Sequence, residues 1–184
     1  MADLKQYDYQ LLKQCGLDVF ISANVEIRRP HLVSVGRHVA IDSGFYLTTR
    51  ATIGDFVHLG PYITAIGGEK SSIIVDHFVT IAAGTRLIAG SDSFLGEGFT
   101  SVTVPQQYRD EVKFSTITIK CFAGIGTNVV IMPGITIAEG SVVGACALVT
   151  KDTKPWTIYA GVPAKPIKMR KSEKMLTFAK ELGY

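Results

Sequence analysis

Little in this 184-residue chain points to cross-links, a membrane or a polyanionic partner. Its three cysteines, Cys15, Cys121 and Cys146, are too far apart for a disulfide framework or a metal knuckle. No run of roughly 18 apolar residues occurs, so no transmembrane helix is expected. Charged residues make up only 19% and the net charge is +3, with no dense Lys/Arg stripe interleaved with aromatics. The footprint of a nucleic-acid binder is therefore missing. The opening MADLKQYDYQ has no basic segment leading into an apolar one, and the expected compartment is the cytoplasm. What is present is the composition of a folded chain, 47% hydrophobic, and one domain with a sizeable core is expected over 1–184.

The hydrophobic residues are strongly periodic. From Val35 they step by six through Ile41, Leu47, Ile53 and Leu59, resume at Val75, Ile81 and Leu87, and resume again at Ile119, Ile125, Ile131, Ile137, Val143 and Val149. Ile21, Ile27 and Val33 lead in. Four places after most anchors stands a second small or apolar residue, as at Val39, Val57, Ile63 and Val129. A step of six matches neither the helical spacings nor plain strand alternation. It suits a chain that runs a short strand, turns a corner and runs another, with one large aliphatic inward per side. Stacked turns of this kind bury a continuous column. A β-sandwich would space its strands at about 8–12 residues instead.

The ends and the slips depart from the repeat. Leu4, Tyr7, Leu11 and Leu12 fall at helical spacing and Gly16 is a candidate C-cap, so a helix is predicted over 1–17. A second helix is predicted over 170–183, with Ser172 as N-cap and Met175, Phe178 and Leu182 on one side. Both are expected to cover the ends of a coil stack running over 19–161. The register slips by two near PHLVSVG, by four within AIGGEKSS (65–72), and by roughly a whole coil in a loop over 90–118. That last excursion holds Phe94, Phe99, Val102, Val104, Tyr108 and Phe114, too apolar for simple disorder.

The repeats IGDFVH, IGTNVV, ITIAEG and VVGACALVTKD, followed by the tail YAGVPAKPIKMR, resemble the hexapeptide-repeat acyltransferases over most of residues 20–170. The resemblance implies a mainly β fold, a left-handed parallel β-helix of triangular section. It also implies a homotrimer with active sites between subunits, acetyl-CoA as co-substrate, no required metal, and a sugar or nucleotide-sugar acceptor. In that family a long loop at the position of 90–118 reaches across the subunit interface. Many of its sugar O-acetyltransferases carry a catalytic histidine just after the preceding coil. Here Ser91-Asp92-Ser93 stands in that place and the loop contains no histidine.

Asp92 is accordingly the candidate base, and Ser91, Ser93, Glu97 and Tyr108 are candidate acceptor contacts. A carboxylate becomes an effective base for a hydroxyl or an ammonium only if burial raises its pKa, whereas an amine, once deprotonated, attacks a thioester readily and needs a weaker base than a hydroxyl. On the donor side, Gly126 and Thr127 of GIGT, Ala145 of GACA, Thr150 and Lys151 match cofactor-contacting positions of the family. Lys165 and Lys168 match basic positions near the nucleotide phosphates. Trp156 suits either stacking on adenine or packing under the C-terminal helix. The histidines His31, His38, His58 and His77 fall at different places in their hexads and include no closely spaced ligand pair. The expected activity is acetyl transfer to a hydroxyl of a sugar or glycan precursor by direct attack in a ternary complex. N-acetylation of a nucleotide-linked amino sugar, a non-catalytic scaffold and a metal-dependent hydratase are the alternatives.

Overall fold

The computed structural model describes residues 6–184, so Leu4 of the expected first helix lies outside the described residues. The six-residue step becomes three short strands per coil, and the coils stack as a parallel β-solenoid of about seven turns. The first coil carries Gln14–Cys15, Phe20–Ile21 and Glu26–Ile27. The sixth carries Thr136–Ile137, Val142–Val143 and Leu148–Val149, and Thr157–Ala160 opens a seventh. Successive coils place their strands in register on three faces, named here by the order in which the first coil meets them. On the second face Ile21, Ile41, Leu59, Ile81, Ile125 and Val143 stand directly above one another.

All fourteen aliphatic anchors from Val35 to Val149 are at most 4% exposed. Burying each Ile or Leu is worth about 1.5–3 kcal/mol, so the interior column holds the stack together. Each inner strand also has its backbone groups met by the coils above and below, which leaves few open edges.

The corners need left-handed backbone, and several bulky residues adopt it. His38, Phe56, Phe78, Phe122 and Trp156 all have φ between 50° and 63° at the corner between the first and second faces. A left-handed non-glycine residue costs about 1–2 kcal/mol. Stacking offsets this, at about 0.5–1.5 kcal/mol per aromatic pair. The rings form a column with centroids 4.6, 5.0, 5.3 and 5.8 Å apart. Gly140 occupies the same corner in the sixth coil, and a Cβ there would meet the Trp156 ring at 2.3 Å. Its bare backbone lets Trp156 reach across to Phe122. Trp156 thus belongs to the corner column.

The two ends differ from expectation. Among residues 6–17 there is one 3-10 turn, Tyr9–Leu11, with the Asp8 side chain accepting from the Gln10 N–H, and then the strand Gln14–Cys15. An α-helix is ruled out here because the next coil takes the backbone donors: Lys13 N–H bonds to Val33 O and Gly16 N–H to Val35 O. Gly16 is a coil corner, not a cap; a Cβ on it would come within 2.5 Å of Gly36. The C-terminal helix is Glu173–Glu181, shorter than expected, and the Ser172 side chain makes no capping bond. It lies along the aromatic corner, where Tyr184 packs edge-on against Phe56 and Phe78. The Tyr184 hydroxyl donates to Asp55 and accepts from Arg37 Nη2 at 2.9 Å. No helix among the described residues is long and apolar enough to cross a membrane.

The long excursion leaves the stack intact. Ile73 pairs directly with Ile117 and Val75 with Ile119, as though the residues between were absent. Those residues form an arm that departs after the third-face strand Arg86–Ile88 and returns to the first face at Thr116–Ile119.

Candidate active site

The arm has a fixed base. The Ala89 carbonyl accepts from the Ser71 hydroxyl at 2.9 Å and the Ser115 hydroxyl at 2.7 Å. Gly90 lies against Gly67, where a Cβ would approach the Gly67 Cα to 2.8 Å. From there Gly90–Asp92 and Val112–Phe114 pair antiparallel, Ser91 opposite Lys113 and Asp92 opposite Val112.

Strand alternation divides the expected acceptor cluster. Asp92 faces the side of Val112 and Phe114, whereas Ser91 and Ser93 face the side of Lys113 and Glu111. The Ser91 hydroxyl donates to the backbone carbonyl of Asp92 at 3.2 Å. The Ser93 hydroxyl donates to Asp110 Oδ1 at 2.6 Å. Asp92 itself is half-buried and makes no ion pair among the described residues. Glu97 and Tyr108 sit further out, both exposed, around a shallow depression with Phe99 and Gln107 that does not include Asp92.

Asp110 had no signal in the sequence. It is 5% exposed and accepts three bonds: from the Ser93 hydroxyl, from the Phe94 N–H at 2.7 Å and from the Glu111 N–H at 2.9 Å. The Ser93 hydroxyl, and the backbone donors after it, outweigh desolvation and hold its carboxyl below the usual carboxylate range. Its partners Ser93 and Phe94 are 17 and 16 residues away, a separation set by the arm's own register.

The expected donor residues fall into two groups. Gly126 and Thr127 occupy the corner between the second and third faces in the fifth coil, and Ala145 occupies the same corner one coil on. A Cβ on Gly126 would meet the Ala145 nitrogen at 2.6 Å, and Cys146 N–H bonds to the Thr127 carbonyl at 2.8 Å. The GVPAK segment continues this corner, with Leu148 N–H on Gly161 O at 3.1 Å and Ala164 N–H on Leu148 O at 2.8 Å. Lys165 and Lys168 follow, exposed on the antiparallel strand Lys165–Met169. Thr150 and Lys151 lie around the next corner, exposed. That is the corner from which the arm springs, two coils earlier, or roughly 9.5 Å along the stack.

The histidines are otherwise engaged. His77 Nδ1 accepts the Asp55 N–H at 2.9 Å, His58 Nε2 is 3.0 Å from Asp42, and His38 stacks on Phe56. His31 lies in the 3-10 turn Pro30–Leu32 at the first register slip. Among the described residues no group of three or more His, Cys, Asp or Glu side chains could hold a metal ion.

No family model matches the chain. Individual proteins do. AntD, an N-acyltransferase from Bacillus cereus solved in complex with dTDP and 3-hydroxybutyryl-CoA, superposes with a TM-score of 0.88 at 32% identity, covering 96% of this chain and 95% of that one. The dTDP-4-amino-4,6-dideoxy-D-glucose acyltransferase of Escherichia coli is 26% identical over 167 residues, 89% of this chain and 85% of that protein. The galactoside O-acetyltransferase of Escherichia coli K12 is 30% identical over 150 residues, 80% of this chain and 62% of that protein. With the hexad stack, the arm and whole-length likeness together, the chain belongs to the hexapeptide-repeat acyltransferase family.

Proposed function

We propose that the protein transfers an acyl group from a CoA thioester to the amino group of a dTDP-linked amino sugar. One observation carries this reading: likeness to AntD, an N-acyltransferase with dTDP and an acyl-CoA, extends over nearly the whole of both chains. It displaces the sugar hydroxyl, favoured by the sequence, as the preferred acceptor. The chemistry agrees with the absent loop histidine. A neutral amine attacks a thioester carbonyl unaided; the new C–N bond forms, the C–S bond breaks with its electron pair leaving on the CoA sulfur as a thiolate, and the nitrogen sheds one proton. A carboxylate at Asp92 suffices to take that proton.

Coenzyme A supplies the activated acyl group. The chain's part is to hold it, along the ledge of Gly126, Thr127 and Ala145, with Lys165 and Lys168 offsetting phosphate charge. Asp92 and this ledge lie on different corners of one chain, which supports a site completed by a second copy, in a homotrimer. The exposed apolar side chains of the arm support the same assembly, since an apolar patch of this kind marks an interface. Three free cysteines suit the reducing cytoplasm.

The likeness to galactoside O-acetyltransferase keeps a hydroxyl acceptor as the second reading. Free-thiol release from acyl-CoA separates them. Turnover is expected with dTDP-4-amino-4,6-dideoxyglucose and not with galactosides. Release with galactosides alone would overturn the amine reading, and release with neither would favour the non-catalytic scaffold.

A further inference from the structure

We infer that Asp110 is a positioning residue that holds Asp92 at the acceptor. The inference rests on the reading of Asp92 as the proton acceptor. The paired part of the arm is only three residues per strand, Gly90–Asp92 against Val112–Phe114. A ladder that short is marginal by itself in water. The ladder's inner end is anchored at the Ala89 carbonyl, whereas beyond Asp92 the backbone adds the Ser93 N–H on the Glu111 carbonyl and the Asp110 N–H on the Phe99 carbonyl, both at 3.0 Å. The Asp110 side chain closes this outer end. One carboxylate oxygen takes the Ser93 hydroxyl and the Glu111 N–H, and the other takes the Phe94 N–H.

These bonds tie the two residues after Asp92 to the segment opposite, and with the Ala89 base they fix the ladder on both sides of Asp92. The two aspartates of the arm divide the work. Asp92 keeps its carboxylate out of the arm's internal bonding, while Asp110 spends both oxygens inside it. A bidentate acceptor is required. In Asp110→Asn the side-chain oxygen could still accept from Ser93 and Glu111, but the amide nitrogen would face the Phe94 N–H, donor against donor.

The test is steady-state kinetics on full-length Asp110→Ala, Asp110→Asn and Ser93→Ala, with Asp92→Asn as reference. For Asp110→Ala, kcat/KM for the amino-sugar nucleotide is expected to fall about 10²-fold, the scale of a 1 Å misplacement, with KM for acyl-CoA unchanged. Asp110→Asn should lose less, and Ser93→Ala, which leaves the carboxylate and two of its bonds, least. In the double variant Asp92→Asn/Asp110→Ala the losses should not add, because Asp110 acts only through Asp92. Full activity of Asp110→Ala beside an inactive Asp92→Asn overturns the positioning role alone. Full activity of Asp92→Asn overturns the underlying reading instead. Additive losses, or an equal rise in KM for acyl-CoA, mean a general structural effect and overturn the inference. If Asp110→Ala does not fold, the graded pair Asp110→Asn and Ser93→Ala decides by the same criteria.

Discussion

In the coils, Ile81, Ile125 and Val143 are each at most 3% exposed, packed between identical positions of the coils above and below. In the arm, Phe94, Leu95, Phe99, Val102 and Tyr108 are each more than half exposed. Both regions are rich in apolar residues, so hydrophobic content alone does not distinguish them. The difference is in what each residue packs against. A coil residue is satisfied by its neighbours in the stack, repeat by repeat. An arm residue has no repeat beside it, and the arm is held by polar bonds at its base and at Asp110. The stack is therefore self-sufficient, whereas the arm's apolar surface is free for another molecule.

The strongest way to break this contrast is inside the column. Ile81→Ala should lower the unfolding free energy by about 2–5 kcal/mol in urea titration. A loss below about 1 kcal/mol would mean the stack tolerates cavities and is not held by its core. Next comes the corner. Gly140→Ala pushes a methyl into the Trp156 ring and should cost about 1–3 kcal/mol, read as a lower midpoint together with altered Trp156 fluorescence. An unshifted midpoint would show that the aromatic column does not brace the coils.

Each region also holds one carboxylate below its ordinary range, which sharpens the comparison through pH. For Asp55 in the stack, burial pushes the pKa up, but bonds from the Tyr184 hydroxyl and the Arg37 N–H, with the Arg37 charge, bring it down overall. For Asp110 in the arm, the Ser93 hydroxyl leads. Because both folded values lie below the unfolded one, their stabilisation is complete above about pH 4 and is lost as pH falls through the folded values. The Asp55 part should appear in global unfolding as an acid-side decline that Asp55→Asn flattens. The Asp110 part should appear as lost exchange protection at the Phe94 amide, with protection already low in Asp110→Asn. A Phe94 amide that follows global unfolding at every pH would merge the two regions. The smallest effect on the single chain is expected at the arm's surface, where Val102→Ser, measured at a concentration too low for assembly, should change stability by less than about 0.5 kcal/mol. A larger loss would mean that Val102 is covered.

Much of this was legible in advance. The hexad step named the fourteen buried anchors one by one. The N-terminal pattern misled because Tyr7, Leu11 and Leu12 keep helical spacing while their segment is drawn into the first coil. Propensity is a weak prior, and the partners offered by Val33 and Val35 override it. Asp110 left no trace because nothing periodic links it to Ser93 and Phe94. Ser91, Asp92 and Ser93 are adjacent in the sequence, but the alternation that splits them depends on the pairing with Val112 and Lys113.

By itself, the sequence determined the coil stack, because each hexad states the same local requirement and neighbouring coils add their burial in register. Tertiary structure alone decided where the C-terminal helix lies, which aspartate is bonded and which is open, and that Asp92 lies on a different corner from Gly126, Thr127 and Ala145. Each of these depends on contacts between segments that share no repeat, so their partners are chosen by the register of the folded chain and not by local pattern.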